Sequence, residues 1–590
     1  MKKPPCFLPI LLVAFFTVHP ITLLAESEES ESASVIDDNP SSTLFDSFDL
    51  QHLWNKTSRE MMRELIKFFY DRPGVLQNLG VELHADEFID THDGSKLQIS
   101  YYLPKDYQEK ERHPTVIIVN PWGSSANANQ MSRLPQRLVK EGYIVLLLTA
   151  RGFGMSQGEA AFANETDQKD VSTTLDWLEA HLKTDRSNIG IVGISYGGGI
   201  GLMALAHDER LKTAVGMNAW SDLGEGGFLA GGGVNERASR FLVDFGDLMQ
   251  CRINEAKNFQ KKLVDPTQRE AVIDWGNVRS PYHVMDKYHQ RNAPILFVHT
   301  YNDTFFKPNS ILEFYKAYQG PKKVSFYLGV HGTNFMFEGY ARQGAGDEVI
   351  RWFDYWLRGK ESRDVHVGAV QFAIRNKKLS RFGSSNSARE AAVYPGWQDQ
   401  NFNKKVFYLS RAMGEGQLAG ESPPVSTSVD LKTALRPSLF KGDEDRDLML
   451  EGFLGWPVVH DLKRLDRKFT ALYFSEPLRA TKIRSISQLK LALLAPGPAP
   501  QVAAYLFAQP PRGKARLITQ GAVTVSRSLP GVVTADLDFQ AIAYDLEEGE
   551  RLALVIDTHD FDFYFPPQQN NDLTVLEGGA AGSKLILSTE

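Results

Sequence analysis

At 590 residues the chain exceeds what a single hydrophobic core organises, so two or three domains are expected. Its 42% hydrophobic and 23% charged content is ordinary for a globular protein and sufficient to bury large cores. The net charge of −7, with no basic stripe anywhere, gives no electrostatic reason to expect a nucleic-acid partner.

The chain opens as a secretory signal would. Lys2 and Lys3 precede an apolar run over residues 7–16, and Leu23-Leu24-Ala25 then gives way to Glu26. Residues 1–25 are therefore expected to be removed after Ala25, sending the protein to a periplasm or out of the cell. Leu23 is a mediocre residue three places before a cleavage point, so an uncleaved N-terminal anchor is the alternative, although the apolar run is short of a full span. Cys6 would leave with the signal, and Cys251 would remain as the single thiol. That excludes an internal disulfide and a cysteine metal cluster. Residues 26–80 read as a disordered linker dense in Glu, Ser and Asp, followed by a helix with Met61, Leu65 and Phe68 on one stripe.

From residue 81 the pattern turns to alternating strand and helix. Residues 87–91 and 97–102 flank the turn His92-Asp93-Gly94 as a leading hairpin. Short, mostly continuous apolar runs follow at 115–119, 144–148, 189–192, 213–217, 295–298 and 324–328. Runs without alternation imply strands covered on both faces, as in a parallel sheet. Val171, Leu175, Leu178 and Leu182 make one helical stripe between them, and Val349, Trp352, Phe353, Trp356 and Leu357 make another. Residues 221–291 contain no strand-like run, only a Gly-rich opening and helix-prone charged sequence; inserted between two strands, they would form a cap over the site. After about residue 363 the pattern becomes β runs separated by Pro, Gly and Asp turns up to residue 590. The fold class expected is α/β: a doubly wound catalytic domain over 81–362, then an all-β sandwich or jelly roll over 363–590.

One stretch carries the chemistry. Gly193-Ile194-Ser195-Tyr196-Gly197 lies directly after one apolar run and before the small-residue helix over 200–206. A Gly-x-Ser-x-Gly pentapeptide by itself is also an ordinary glycine-rich turn, but a strand before it and a helix after it make a nucleophile elbow. A serine hydroxyl is a poor nucleophile at neutral pH, so it needs a base, and the base needs an orienting group. In such a sheet these follow in the order Ser, Asp or Glu, His. Asp303 and His331 each sit just past the end of a later strand, where Ser195 also sits. His299 lies within or at the end of its strand and is expected to serve packing, while His283 and His289 belong to the insertion; Asp303 has a rival role as cap of a helix starting near Pro308. For the oxyanion, the backbone N–H of Tyr196 is one donor by geometry. Trp122, in the loop after the strand at 115–119, supplies a second through either its backbone or its indole N–H. No cofactor or metal is expected: Asp557, His559, Asp560 and Asp562 lie close together, but acidic loop residues are usually just solvated.

These motifs resemble the X-Pro dipeptidyl-peptidases and their relatives, the cocaine-esterase-like acyl esterases and α-amino-acid ester hydrolases. The resemblance rests on Arg151-Gly152-x-Gly154-x-Ser156-x-Gly158-Glu159, Asp170, Asp176-Trp177-Leu178 and the elbow, with Asp303 and His331. It continues into Ser475-Glu476-Pro477-Leu478 and Gly549-Glu550-Arg551-Leu552. It implies an α/β-hydrolase with a helical cap, a C-terminal jelly roll that does not carry the triad, and Ser195, His331 and Asp303 as nucleophile, base and orienter. In the family a tyrosine usually follows the proline of the oxyanion loop and lends its hydroxyl; here Pro121 is followed by Trp122. The expected function is an exported serine hydrolase acting through an acyl-enzyme on a small ester or amide or a short peptide. Acyl esterase or acylase activity comes first and X-Pro dipeptidyl-peptidase second. A carboxylate for a substrate amine cannot be singled out among Glu225, Glu236, Asp244 and Asp247 of the insertion. From another class, a surface- or carbohydrate-binding protein using the jelly roll is the alternative.

Overall fold

The computed structural model describes residues 82–590 except 109, 126–133, 333–343, 362–363, 377–390, 399–401, 435–438, 440–447, 449–450, 452–456, 496–499, 526–530, 560–570 and 580–581. The expected signal segment, the acidic linker with its leading helix, and Asp560 and Asp562 lie outside the described residues.

The leading hairpin forms from β1 (Glu82–Asp90) and β2 (Lys96–Leu103), paired antiparallel. Then come β3 (His113–Val119), α1 (Leu134–Lys140), β4 (Ile144–Leu148), α2 (Glu165–His181), β5 (Thr184–Ile194), α3 (Tyr196–His207) and β6 (Leu211–Met217). The interval 221–291 is helical as expected, with α4 (Glu236–Leu248), α5 (Asn254–Leu263), α6 (Arg269–Asn277) and α7 (Met285–Arg291). The sheet resumes with β7 (Ile295–Asn302), α8 (Pro308–Ala317), β8 (Lys322–Val330) and α9 (Ala345–Arg358).

The continuous apolar runs do what their composition demands. Ile117 and Val119 of β3 point into one core with α2 and α3, whereas Val116 and Ile118 point into the other with Trp352 and Phe353 of α9. A strand with apolar residues on both sides is stable only between two layers of helix, and β3 to β8 are so covered. The strand order is β1-β2-β4-β3-β5-β6-β7-β8, with β3 and β5 the pair at which the chain changes direction of travel across the sheet. Ligands of open α/β sheets bind in the crevice beyond the carboxyl ends of the strands at such a switch point.

Two further strands extend this sheet: β9 (Ala369–Ala373), parallel to β8, and β10 (Ala391–Pro395), antiparallel to β9. The change of sequence pattern after Lys360 thus comes before the change of sheet. The reason is physical: an edge strand and a sandwich strand share composition and length, and only the partner tells them apart. From Asn403 onward the described residues build a separate fourteen-stranded β system, antiparallel apart from one parallel pair among them, that forms a β-rich, jelly-roll-like domain.

Both sheets belong to one compact unit, Leu79–Glu590. Arg375 joins them: its guanidinium donates to Glu451 at 2.8 and 2.6 Å and to the Ile518 carbonyl at 2.8 Å. Asn309, in the first turn of α8, exchanges two hydrogen bonds with Phe539 and Ala541 of the second domain at 3.0 and 2.8 Å. No helix among the described residues is long and apolar enough to cross a membrane.

Candidate active site

Ser195 begins α3 directly after β5 and takes φ 52°, ψ −116°. This is a strained conformation for a residue with a side chain, and strain of this kind persists only where the surroundings over-determine it. They do so through close approach. A Cβ on Gly193 would stand 2.2 Å from the Gly197 carbonyl carbon, and one on Gly197 would stand 2.3 Å from the Val119 oxygen. The Ser195 N–H donates to the Met217 carbonyl of β6 at 2.8 Å. Its hydroxyl makes no hydrogen bond among the described residues.

The acid and base come from the ends of β7 and β8, with β6 lying between β5 and β7 in the sheet. Asp303 follows β7 and is fully buried; its Oδ1 accepts the N–H groups of Phe305 and Phe306, both at 2.9 Å. His331 follows β8, is 6% exposed, and its Nδ1 lies 2.9 and 2.8 Å from the two Asp303 oxygens. Burial pushes the Asp303 carboxyl up, but the charge and hydrogen bond of His331, with the Phe306 N–H, outweigh it and hold the group below its ordinary value. The carboxylate caps its own loop and leaves α8 uncapped by side chain. His299 is spent as expected: it is fully buried within β7 and its Nε2 meets the Phe306 carbonyl at 2.9 Å, bracing the same loop.

Ser195, Asp303 and His331 therefore stand at the carboxyl ends of β5, β7 and β8 on one rim. Asp303 and His331 are in contact, while no hydrogen bond joins the serine hydroxyl to the imidazole, whose Nε2 is likewise uncommitted among the described residues. Catalytic hydrogen bonds are commonly long before substrate binds.

The oxyanion expectation is corrected in one respect. The indole N–H of Trp122 donates to the Leu242 carbonyl of α4 at 2.8 Å, so it ties the oxyanion loop to the cap and is not available to substrate. Sequence could not show this, because the partner lies 120 residues away. The backbone N–H groups of Trp122 and Tyr196 take no partner among the described residues. The same helix closes on the site elsewhere: Phe245 occupies the place a side chain on Gly123 would need, and Phe241 packs on Phe305 at 5.5 Å, which in turn lies 4.6 Å from the His331 ring.

Behind the elbow lies a polar cluster built on Tyr196, Asp167 and the Arg151 motif. The Tyr196 hydroxyl accepts the N–H groups of Ala161 and Phe162 at 3.1 and 3.0 Å and donates to the buried Asp167 at 3.2 Å. This pins a loop whose Phe162 and Ala163 are both left-handed (φ 57° and 59°) and whose Phe162 ring packs on Trp122 at 4.7 Å. Arg151 of the glycine-serine motif donates to both Asp170 oxygens at 2.6 and 2.8 Å and to Asp93 at 3.0 Å. Ser156 bridges the Gln98 N–H and the Thr149 carbonyl. The motif is thus scaffold for the loops around the site. Among the described residues no group of His, Cys, Asp and Glu side chains is arranged to hold a metal ion.

Comparison with known proteins agrees with this architecture. Residues 93–333 match the family model of X-Pro dipeptidyl-peptidase (S15 family), and residues 375–590 match that of the X-Pro dipeptidyl-peptidase C-terminal non-catalytic domain. A Bacillus anthracis protein named "Putative Xaa-Pro dipeptidyl-peptidase" is 21% identical over 556 residues, covering 85% of this chain and 86% of that protein. Among solved structures, a CocE/NonD family hydrolase from Staphylococcus aureus superposes with a TM-score of 0.64 at 14% identity, covering 86% of this chain and 94% of the other. An α-amino acid ester hydrolase does so with a TM-score of 0.63 at 15% identity, covering 87% and 97%. The chain is a hydrolase with an α/β-hydrolase domain and a C-terminal β-rich domain, and it belongs to the X-Pro dipeptidyl-peptidase (S15) family.

Proposed function

We propose that this protein is an exported serine hydrolase that passes through an acyl-enzyme on Ser195, and that its preferred substrates are small acyl esters or activated amides. The observation that carries the reading is the buried carboxylate–imidazole contact at 2.8 Å, on the same rim of the sheet as an elbow serine whose hydroxyl is uncommitted among the described residues. Ser195 Oγ attacks the substrate carbonyl while His331 Nε2 takes its proton. Asp303, bonded at Nδ1, holds the imidazole in the tautomer that leaves Nε2 free to accept. The tetrahedral oxyanion sits between the backbone N–H groups of Tyr196 and Trp122. The imidazolium then returns the proton to the leaving alcohol or amine, and water repeats the sequence to free the acid and regenerate the serine.

The ester branch is favoured by residue 122. A tryptophan stands where a hydroxyl donor is usual, and its indole is engaged by Leu242, leaving two backbone donors to stabilise the oxyanion. The better leaving groups of esters make smaller demands on that hole. The second reading, release of an N-terminal Xaa-Pro dipeptide, draws on the family model and the Bacillus anthracis relative. A side-by-side assay of a short-chain p-nitrophenyl ester and a Gly-Pro amide decides between them: the ester is expected to be cleaved with the higher kcat/KM. Cleavage of neither by protein that is intact and folded would turn attention to binding by the β-rich domain. Export is tested by N-terminal sequencing of the mature protein, expected to begin at Glu26.

A further inference from the structure

Between the serine's strand and the acid's strand lies β6, and the residue just past its end is Asn218. Its backbone is left-handed (φ 44°) and its side chain is buried, 1% exposed. Met217 before it accepts the Ser195 N–H, and Asn218 itself donates to the Val298 carbonyl of β7, both at 2.8 Å. Its Nδ2 donates to Thr300 Oγ1 at 2.7 Å and to Asp303 Oδ2 at 2.8 Å. The same Oδ2 lies 2.8 Å from His331 Nδ1. A carboxylate oxygen only accepts, so the amide nitrogen is the atom that must face it. That choice leaves Asn218 Oδ1 buried without a partner among the described residues. An asparagine whose work is to form a turn bonds its own backbone about two residues on. This one instead sends its amide to residues 82 and 85 positions away and leaves an acceptor unsatisfied to do so.

We propose that Asn218 is a positioning residue for the catalytic pair: its amide fixes the plane of the Asp303 carboxylate and shares the charge of the oxygen that His331 uses. With that charge shared, the Nδ1 proton stays on the imidazole and Nε2 stays aimed at the serine. No bond is made or broken at Asn218. The inference rests on the reading of Ser195, His331 and Asp303 given above. Among the described residues, the other titratable side chain meeting Asp303 is His299 of β7, 3.7 Å away, which burial drives toward the neutral form and whose Nε2 is engaged by Phe306.

Two variants of the full chain test this. Asn218→Gly accepts the left-handed backbone freely and removes the amide. Asn218→Asp keeps the shape and tolerates the same backbone, but presents an oxygen where the donor was. For both, kcat on the p-nitrophenyl ester is expected to fall about ten- to a hundredfold, the loss of one hydrogen bond to a charged group, with KM within about twofold. The rate of fluorophosphonate labelling should fall by the same factor. In the Gly variant the acidic limb of the kcat/KM profile should move to higher pH, because a carboxylate relieved of its donor holds the imidazolium more tightly. Thermal melting of each variant identifies any loss that is merely unfolding, and either folded variant suffices for the decision. Wild-type kcat and an unmoved acidic limb would make Asn218 a turn former only and overturn the inference. Ser195→Ala run in parallel separates the two levels. Residual turnover there defeats the proposed function itself, whereas an inert Ser195→Ala beside normal Asn218 variants defeats this inference alone.

Discussion

The rim of the sheet and the polar cluster just behind it are built from the same kinds of residue and differ in what they leave over. In the cluster, the Arg151 guanidinium is engaged by Asp170 and Asp93, and the Tyr196 hydroxyl by two N–H groups and Asp167. On the rim, the Asp303 carboxylate is as fully engaged, with donors from Phe305, Phe306, Asn218 and His331. Yet the Ser195 hydroxyl, His331 Nε2 and the N–H groups of Tyr196 and Trp122 take no partner among the described residues. Saturated networks rigidify, and groups held in place but unpaired are available to a substrate. Contact between an acid and a base therefore marks a reactive centre only when one end of the pair is left open.

The comparison can be broken at several points, beginning with the open end. Ser195→Ala should abolish fluorophosphonate labelling and lower kcat by up to about a millionfold, the scale on which triad members act as a unit. Retained activity would move the chemistry elsewhere. Asp303→Asn keeps the loop but no longer selects the imidazole tautomer, and kcat should drop by roughly four orders of magnitude. Trp122→Phe asks whether the indole is spent. Loss of an oxyanion donor costs about a hundred- to a thousandfold, so a fall of less than about tenfold in kcat is expected if Leu242 is the indole's real partner. A larger loss at unchanged melting temperature would return the indole to the oxyanion.

The smallest effect belongs to the saturated cluster and appears in stability. Burial, and then the neighbouring Asp170, push the Asp167 carboxyl up to about 7. An acid whose folded-state pKa is raised costs nothing below its unfolded value. The cost grows as pH rises, because the unfolded chain ionises first, and is complete above about 7. Asp167→Asn retains an oxygen for Ala163 and Tyr196 and removes the ionisation. Its melting temperature, measured against wild type, should gain between pH 5 and pH 8, and a flat difference would show that Asp167 is not held protonated.

Much of this was readable from order along the chain. The glycines of the elbow answer contacts within a few residues or with the adjoining strand, and steric demands that local are written into composition. The apolar runs located β3 to β8, and the rule that acid and base follow the serine at successive strand ends led to Asp303 and His331. His299, inside its strand, has nowhere to point but a core, and it is fully buried there.

What the order of residues determined, then, was the α/β character of the first domain, the elbow, and the candidates for acid and base, because each follows from periodicity or from crowding between near neighbours. Tertiary structure alone decided the rest. It gave β9 and β10 to the first sheet, turned the Trp122 indole toward the cap and left its backbone N–H open, and brought the Asn218 amide onto the carboxylate. Each of these is a choice of partner across 80 residues or more, or at the edge of a sheet, where many sequences of like composition would fit and only the packed fold determines which groups meet.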